Sequence, residues 1–182
     1  MGFWKIKRFC KLLDCCKTLK KNRVNLKNSI SEIETYNRDI KWLFDFTQDF
    51  NNRKKWDKQT LEIDFIDECK ELKKGAKVFT KSIEGVFMET EYLTFKSPNE
   101  ISIQMINRSK IFKDFIGTWN YSSNDRNKTD LKITYSFNLK FPYSIIKHNI
   151  SQKIRLNMTK KLTLLKEYLT ELENKNVLQR GI

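Results

Sequence analysis

Few side chains in this 182-residue chain have the chemistry to catalyse a reaction. The single histidine, His148, could move a proton, but only with a partner within hydrogen-bond reach. No Ser/His/Asp or Cys/His set can be nominated from spacing. The four cysteines are Cys10, Cys15, Cys16 and Cys69. They form no C-x-x-C pair, and one histidine cannot complete a zinc set with them. Cys15 and Cys16 are adjacent, a poor geometry for bridging each other, so reduced thiols in the cytoplasm are expected. Five scattered glycines make no phosphate-cradling loop. The sequence thus points to no catalytic residue, no metal site and no cofactor.

Two carboxylates remain, Glu89 and Glu91, within the strand expected over Phe87 to Lys96. One face of that strand carries Phe87, Glu89, Glu91, Leu93 and Phe95. The other carries Met88, Thr90, Tyr92, Thr94 and Lys96. Neither face is cleanly apolar, and a β-bulge that switches parity would resolve the conflict. A glutamate turned inward would be a buried carboxylate of raised pKa, able to bind a ligand or transfer a proton. Turned outward, it would be an ordinary solvated side chain.

The elements that must position these groups follow from hydrophobic periodicity. A first strand is expected over Val24 to Tyr36. Two short helices follow: Arg38 to Phe46, capped by Asn37 and burying Ile40, Leu43 and Phe44, then Asp49 to Trp56. From residue 61 to 140 the period is two, with turns at Lys73-Lys74-Gly75, Gly85, Ser97 to Glu100 and Asn124 to Lys128. Gly117 lies among Phe115, Trp119 and Tyr121 and marks a bulge or bend. Strands joined by turns without intervening helices make an antiparallel meander. After Pro142, Ile146, Ile150, Ile154, Met158, Leu162, Leu165, Leu169 and Leu172 recur at steps of four and three, the stripe of one long helix ending near Glu173.

The net charge is +14, and half of it falls in residues 1–23, where eight basic residues face Asp14 alone. Residues 3–20 read as a basic amphipathic helix. It would either lie on an anionic membrane surface or pack on the body as an extra helix. No run approaches the ~18 apolar residues of a membrane span. Ile6 stands where an N-myristoylation motif wants Ser or Thr.

The order strand, two short helices, six-strand meander and long helix resembles the START-related superfamily, also called SRPBCC, of the polyketide cyclase/dehydrase type. Ile33-Glu34-Thr35-Tyr36-Asn37-Arg38-Asp39-Ile40 resembles its strand-to-helix entry. Phe44, Asp49 and Trp56 fit its spacing across the short helices, Gly117-Thr118-Trp119 its late strand, and Met158 to Leu172 its closing helix. The resemblance covers residues 28–173. It implies an α+β helix-grip fold, a curved antiparallel sheet wrapped around the C-terminal helix. It also implies a cavity for a hydrophobic small molecule or lipid, the use to which this superfamily puts its fold.

On that reading residues 1–23 are a basic segment, 24–174 the domain and 175–182 a tail. The sheet would contribute Ile101, Ile103, Met105, Trp119, Ile133, Tyr135 and Phe137 to the cavity. The helix would contribute Ile150, Ile154, Met158 and Leu162. Glu89, Glu91 and His148 are the candidate polar contacts. The expected function is ligand binding in the cytoplasm, with anionic membrane as a second partner through residues 1–23. Two alternatives stay open. One is a cyclase or dehydratase using inward polar groups such as Glu89, Tyr135 or His148. The other is a basic-surface module for nucleic acid or protein. The aromatics fall on apolar faces, which argues against single-strand stacking on nucleic acid.

Overall fold

A computed structural model describes residues 25–68, 70–124 and 128–180, with side chains as far as Lys175. The segment 1–23, its expected helix and all four cysteines lie outside these residues.

Among the described residues seven strands form one antiparallel sheet. They are β1 (Asn28–Tyr36), β2 (Thr60–Phe65), β3 (Lys77–Ser82), β4 (Phe87–Lys96), β5 (Glu100–Met105), β6 (Phe112–Ser123) and β7 (Thr129–Leu139), in the spatial order β1-β7-β6-β5-β4-β3-β2. The helices are α1 (Ile40–Gln48), α2 (Phe50–Trp56) and α3 (Lys147–Arg180). The α+β helix-grip architecture is therefore present.

Local chemistry sets the element boundaries. β1 starts at Asn28, because the Lys27 N–H goes to the Asn138 side chain instead of the ladder; Val24, where the strand was expected to begin, lies outside the described residues. α1 is capped by Asp39, not Asn37: the Asp39 carboxylate accepts the Trp42 N–H at 3.0 Å. Asp49 ends α1 and caps α2, accepting the Asn52 N–H at 2.7 Å. Gly75 and Gly85 adopt positive φ in their turns, where side-chain-bearing residues would be strained. α3 begins only at Lys147, so Ile146 falls in the preceding turn. It continues past Glu173 to Arg180, since neither glycine nor proline interrupts it before Gly181. The segment expected as a tail from residue 175 is thus helical to Arg180.

The concave face carries the core. From Phe115 to Tyr121 on β6, and along β7, the odd-numbered residues point inward, including Trp119, Tyr121, Leu131, Ile133 and Phe137. β4 resolves its parity conflict with a bulge between Tyr92 and Thr94. Thr90 and Tyr92 face inward before it, opposite Met105 and Ile103, and Phe95 after it, opposite Ile101. Gly117 marks no bulge: it pairs in regular register with Ile103 and Tyr135. Its role is space, because a Cβ there would lie 3.2 Å from Tyr135 Cε1 and 3.3 Å from Ile103 Cγ1.

α3 runs closest to β1 and α2. Met158, Leu162, Leu165 and Leu169 are sealed in the core, and the Tyr36 hydroxyl donates to the Leu162 carbonyl at 3.0 Å. Towards its start the stripe opens: Ile154 and Ile150 are only half-buried.

Candidate functional site

The interior between sheet and α3 is not purely apolar. Asp57 follows Trp56 at the end of α2, and its carboxylate is completely buried. Four donors converge on it. Arg53 Nε, one helical turn earlier, lies at 3.3 Å, the Thr60 hydroxyl at 2.8 Å and the Gln59 N–H at 3.3 Å. The ammonium of Lys161, from α3, completes the set as an ion pair. The Arg53 guanidinium stacks over the Trp119 ring, 5.1 Å from its centroid, and Lys161 lies 6.0 Å from that of Trp56.

Burial alone would raise the Asp57 pKa. Lys161, Arg53 and the hydrogen bonds from Lys161 and Thr60 outweigh it and hold the carboxyl at about 2. Burial is also the largest influence on Lys161. With Arg53 nearby it pushes the amine down to about 8, against the pull of Asp57. Burial works against the charge of Arg53 too, but Asp57 prevails and its pKa is raised. Tyr92 and Tyr135 are pushed up to about 12, chiefly by burial, so both stay protonated hydrogen-bond donors. At neutral pH two cations thus share one anion. The Asp57 oxygens are engaged, while the Arg53 and Lys161 side chains retain 15% and 13% of their surface.

The eleven expected lining residues divide in two. Ile101, Trp119, Ile133, Phe137, Met158 and Leu162 are sealed. Ile103, Met105, Tyr135, Ile150 and Ile154 keep accessible surface, although all but Ile150 pack against the core. The open part of the concave face therefore lies towards the start of α3.

The three polar candidates are not in the interior. Glu89 and Glu91 alternate with the inward Thr90 and Tyr92 and share the convex face with Phe79 and Lys77, their partners on β3. The bulge comes after them, so it cannot turn them inward. His148 is exposed in the first turn of α3, bonded to Gln152 at 2.9 Å. The charged groups that are inside, Arg53, Asp57 and Lys161, were missed. A signal existed. Lys161 stands three residues after Met158 and four before Leu165, inside the apolar stripe, and Arg53 and Asp57 sit one turn apart beside the anchor Trp56.

Two open grooves lie elsewhere. One of about 540 Å³ runs between the end of β1 and the C-terminal part of α3, along Tyr36, Arg38, Lys166 and Glu173. The other, of about 640 Å³, lies at the α1–α2 junction over Phe44, Phe50, Phe65 and Phe95. Neither is lined by the eleven residues above. Among the described residues no group of three or more His, Cys, Asp or Glu side chains could hold a metal, and no helix is long and apolar enough to cross a membrane.

No family model and no curated protein matches the chain. Solved structures do. The Zhui aromatase/cyclase from Streptomyces sp. R1128 superposes with a TM-score of 0.65 at 12% identity, over 78% of this chain and 92% of that one. A START superfamily protein from Mycobacterium smegmatis gives 0.60 at 13%, over 78% and 98%. The di-domain ARO/CYC BexL from the BE-7585A biosynthetic pathway gives 0.61 at 11%, over 77% of this chain but 49% of that protein, so the chain spans about half its length. The fold is accordingly the START-like helix-grip fold that these structures share. At these identities the likeness establishes the fold alone.

Proposed function

We propose that the protein binds a hydrophobic small molecule or lipid carrying an acidic group, held between the concave sheet and α3 with its acid at Arg53 and Lys161. The observation that carries this is the excess cation in the Arg53–Asp57–Lys161 cluster. Buried ion pairs are often no more stabilising than well-packed apolar residues of the same volume, so stability alone gives little reason for three charges here. A ligand carboxylate would balance the charge and accept charge-assisted hydrogen bonds from donors that Asp57 leaves unused. Tyr135 and the half-buried Ile103, Met105 and Ile154 would receive the apolar body, the usual composition of a ligand site.

A cyclase or dehydratase reading is the second choice. Of the polar groups it would call on, Tyr135 alone lies on the concave face. Lys161, lowered to about 8, is mostly protonated at neutral pH and is suited to donate a proton there. Native mass spectrometry of protein purified from its own host tests the primary proposal. An acidic apolar compound should accompany the chain and be displaced at high pH. A chain that carries only neutral compounds would overturn the role given to the cations.

A further inference from the structure

At the end of the fold where α3 begins, three loops come together. The β3–β4 hairpin is tied to α3 by the Lys153–Glu84 ion pair at 3.2 Å. The β5–β6 loop is tied to β4 by the Ile106 N–H to the Glu89 carbonyl at 2.9 Å. The β7–α3 loop is tied to the β5–β6 loop by the Lys140 N–H to the Ile111 carbonyl at 2.9 Å. These loops expose large apolar side chains to solvent. Phe141 is 81% exposed and Ile145 74%; Ile146 beside them, Ile106, and Val86 and Phe87 of the hairpin are exposed as well.

Isolated exposed apolar residues are normal, but several on adjoining loops at one pole mark an interaction surface. The charges around them are mostly positive. Arg108, Lys110, Lys113, Lys140 and Lys147 are exposed there. The only acid in segments 83–86, 106–111 and 140–146 is Glu84, which Lys153 engages. Apolar tips surrounded by cations match a bilayer surface with anionic headgroups, where cations are attracted to the headgroups and apolar groups enter the acyl boundary.

We propose that this pole docks the protein on an anionic membrane, through Phe141, Ile145 and the hairpin tip, with Arg108 and Lys147 among the residues that contact the headgroups. The surface is separate from the interior cluster. It also differs from residues 1–23, so an effect of that segment is distinguishable.

Flotation of the full chain with phosphatidylcholine vesicles, with and without phosphatidylserine, tests this. The parent should float only with phosphatidylserine and release as salt rises. The double variants Phe141→Gln/Ile145→Gln and Arg108→Glu/Lys147→Glu should each partition at least about tenfold less. Ile33→Gln, at an exposed apolar position on the convex face, should float like the parent. All four positions in the double variants are exposed, and unchanged thermal unfolding would show that the fold is intact. Double variants that float as well as the parent would overturn the proposal and place membrane affinity elsewhere, residues 1–23 included. A parent that does not float, or floats equally on neutral vesicles, would overturn it too.

Discussion

Lys161 and Asp57 lie 104 residues apart in the chain and form an ion pair inside the grip, on a carboxylate with no exposed surface. The pair joins α3 to the α2–β2 junction. Because Arg53 shares the same carboxylate, losing the acid and losing the lysine have different consequences.

Asp57→Asn leaves two buried cations without a counter-charge. It should destabilise the fold by about 3–5 kcal/mol in urea unfolding. Lys161→Met removes the excess charge and keeps the Arg53–Asp57 pair. It should lie within about 1 kcal/mol of the parent. Equal costs for the two would mean that the cluster is not charged as described.

The pH dependence has two parts. Asp57 titrates at about 2 in the fold against an ordinary 3.8. Its contribution, about 2 kcal/mol, is complete above the ordinary value and is lost as pH falls through about 4 to 2. Lys161 is lowered to about 8 from 10.5. Between those values the unfolded chain holds more protons than the folded one, so this group makes stability rise with pH. Affinity for an acidic ligand should move the opposite way, falling as pH rises through about 8 and the cation is lost. Urea midpoints across the acid range, with Asp57→Asn as reference, check the first part. Ligand titrations on either side of pH 8, with Lys161→Met as reference, check the second.

Gly117→Ala places a methyl 3.2 Å from the Tyr135 ring and 3.3 Å from Ile103. The expected cost is about 1–3 kcal/mol by overpacking. Combining it with Tyr135→Leu should recover part of that cost, a coupling measurable as a double-mutant cycle. Strictly additive effects would show that the ring does not rest on Gly117.

Element order and most strand positions were legible because periodicity and turn residues report them directly. β4 was legible as a conflict: its mixed faces called for a parity switch, and the Tyr92/Thr94 bulge supplies it. Where the bulge falls depends on pairing with β5, which a single strand does not encode. Lys161 is not legible as an interior group, because a lysine in an apolar stripe ordinarily extends its amine to solvent. Only the arrival of Asp57 from another segment turns it inward. Arg53 was obscure for a related reason, since α2 is two turns long and its facing is set by what packs on it. Glu89, Glu91 and His148 are candidates by residue type alone, and the backbone places all three outside the interior.

On the proposed function, the interior receives an apolar molecule by its acid. Calorimetric titration of the full chain with decanoate and with decanol, equal in chain length and different in charge, tests it most directly. Decanoate should bind the parent at least about tenfold more tightly than decanol, because charge-assisted hydrogen bonds reward the carboxylate alone. Lys161→Met, folded, should lose that preference. Failure of both compounds to bind, or a Lys161→Met protein that keeps the preference for decanoate, would rule out recognition of the acid by this cluster.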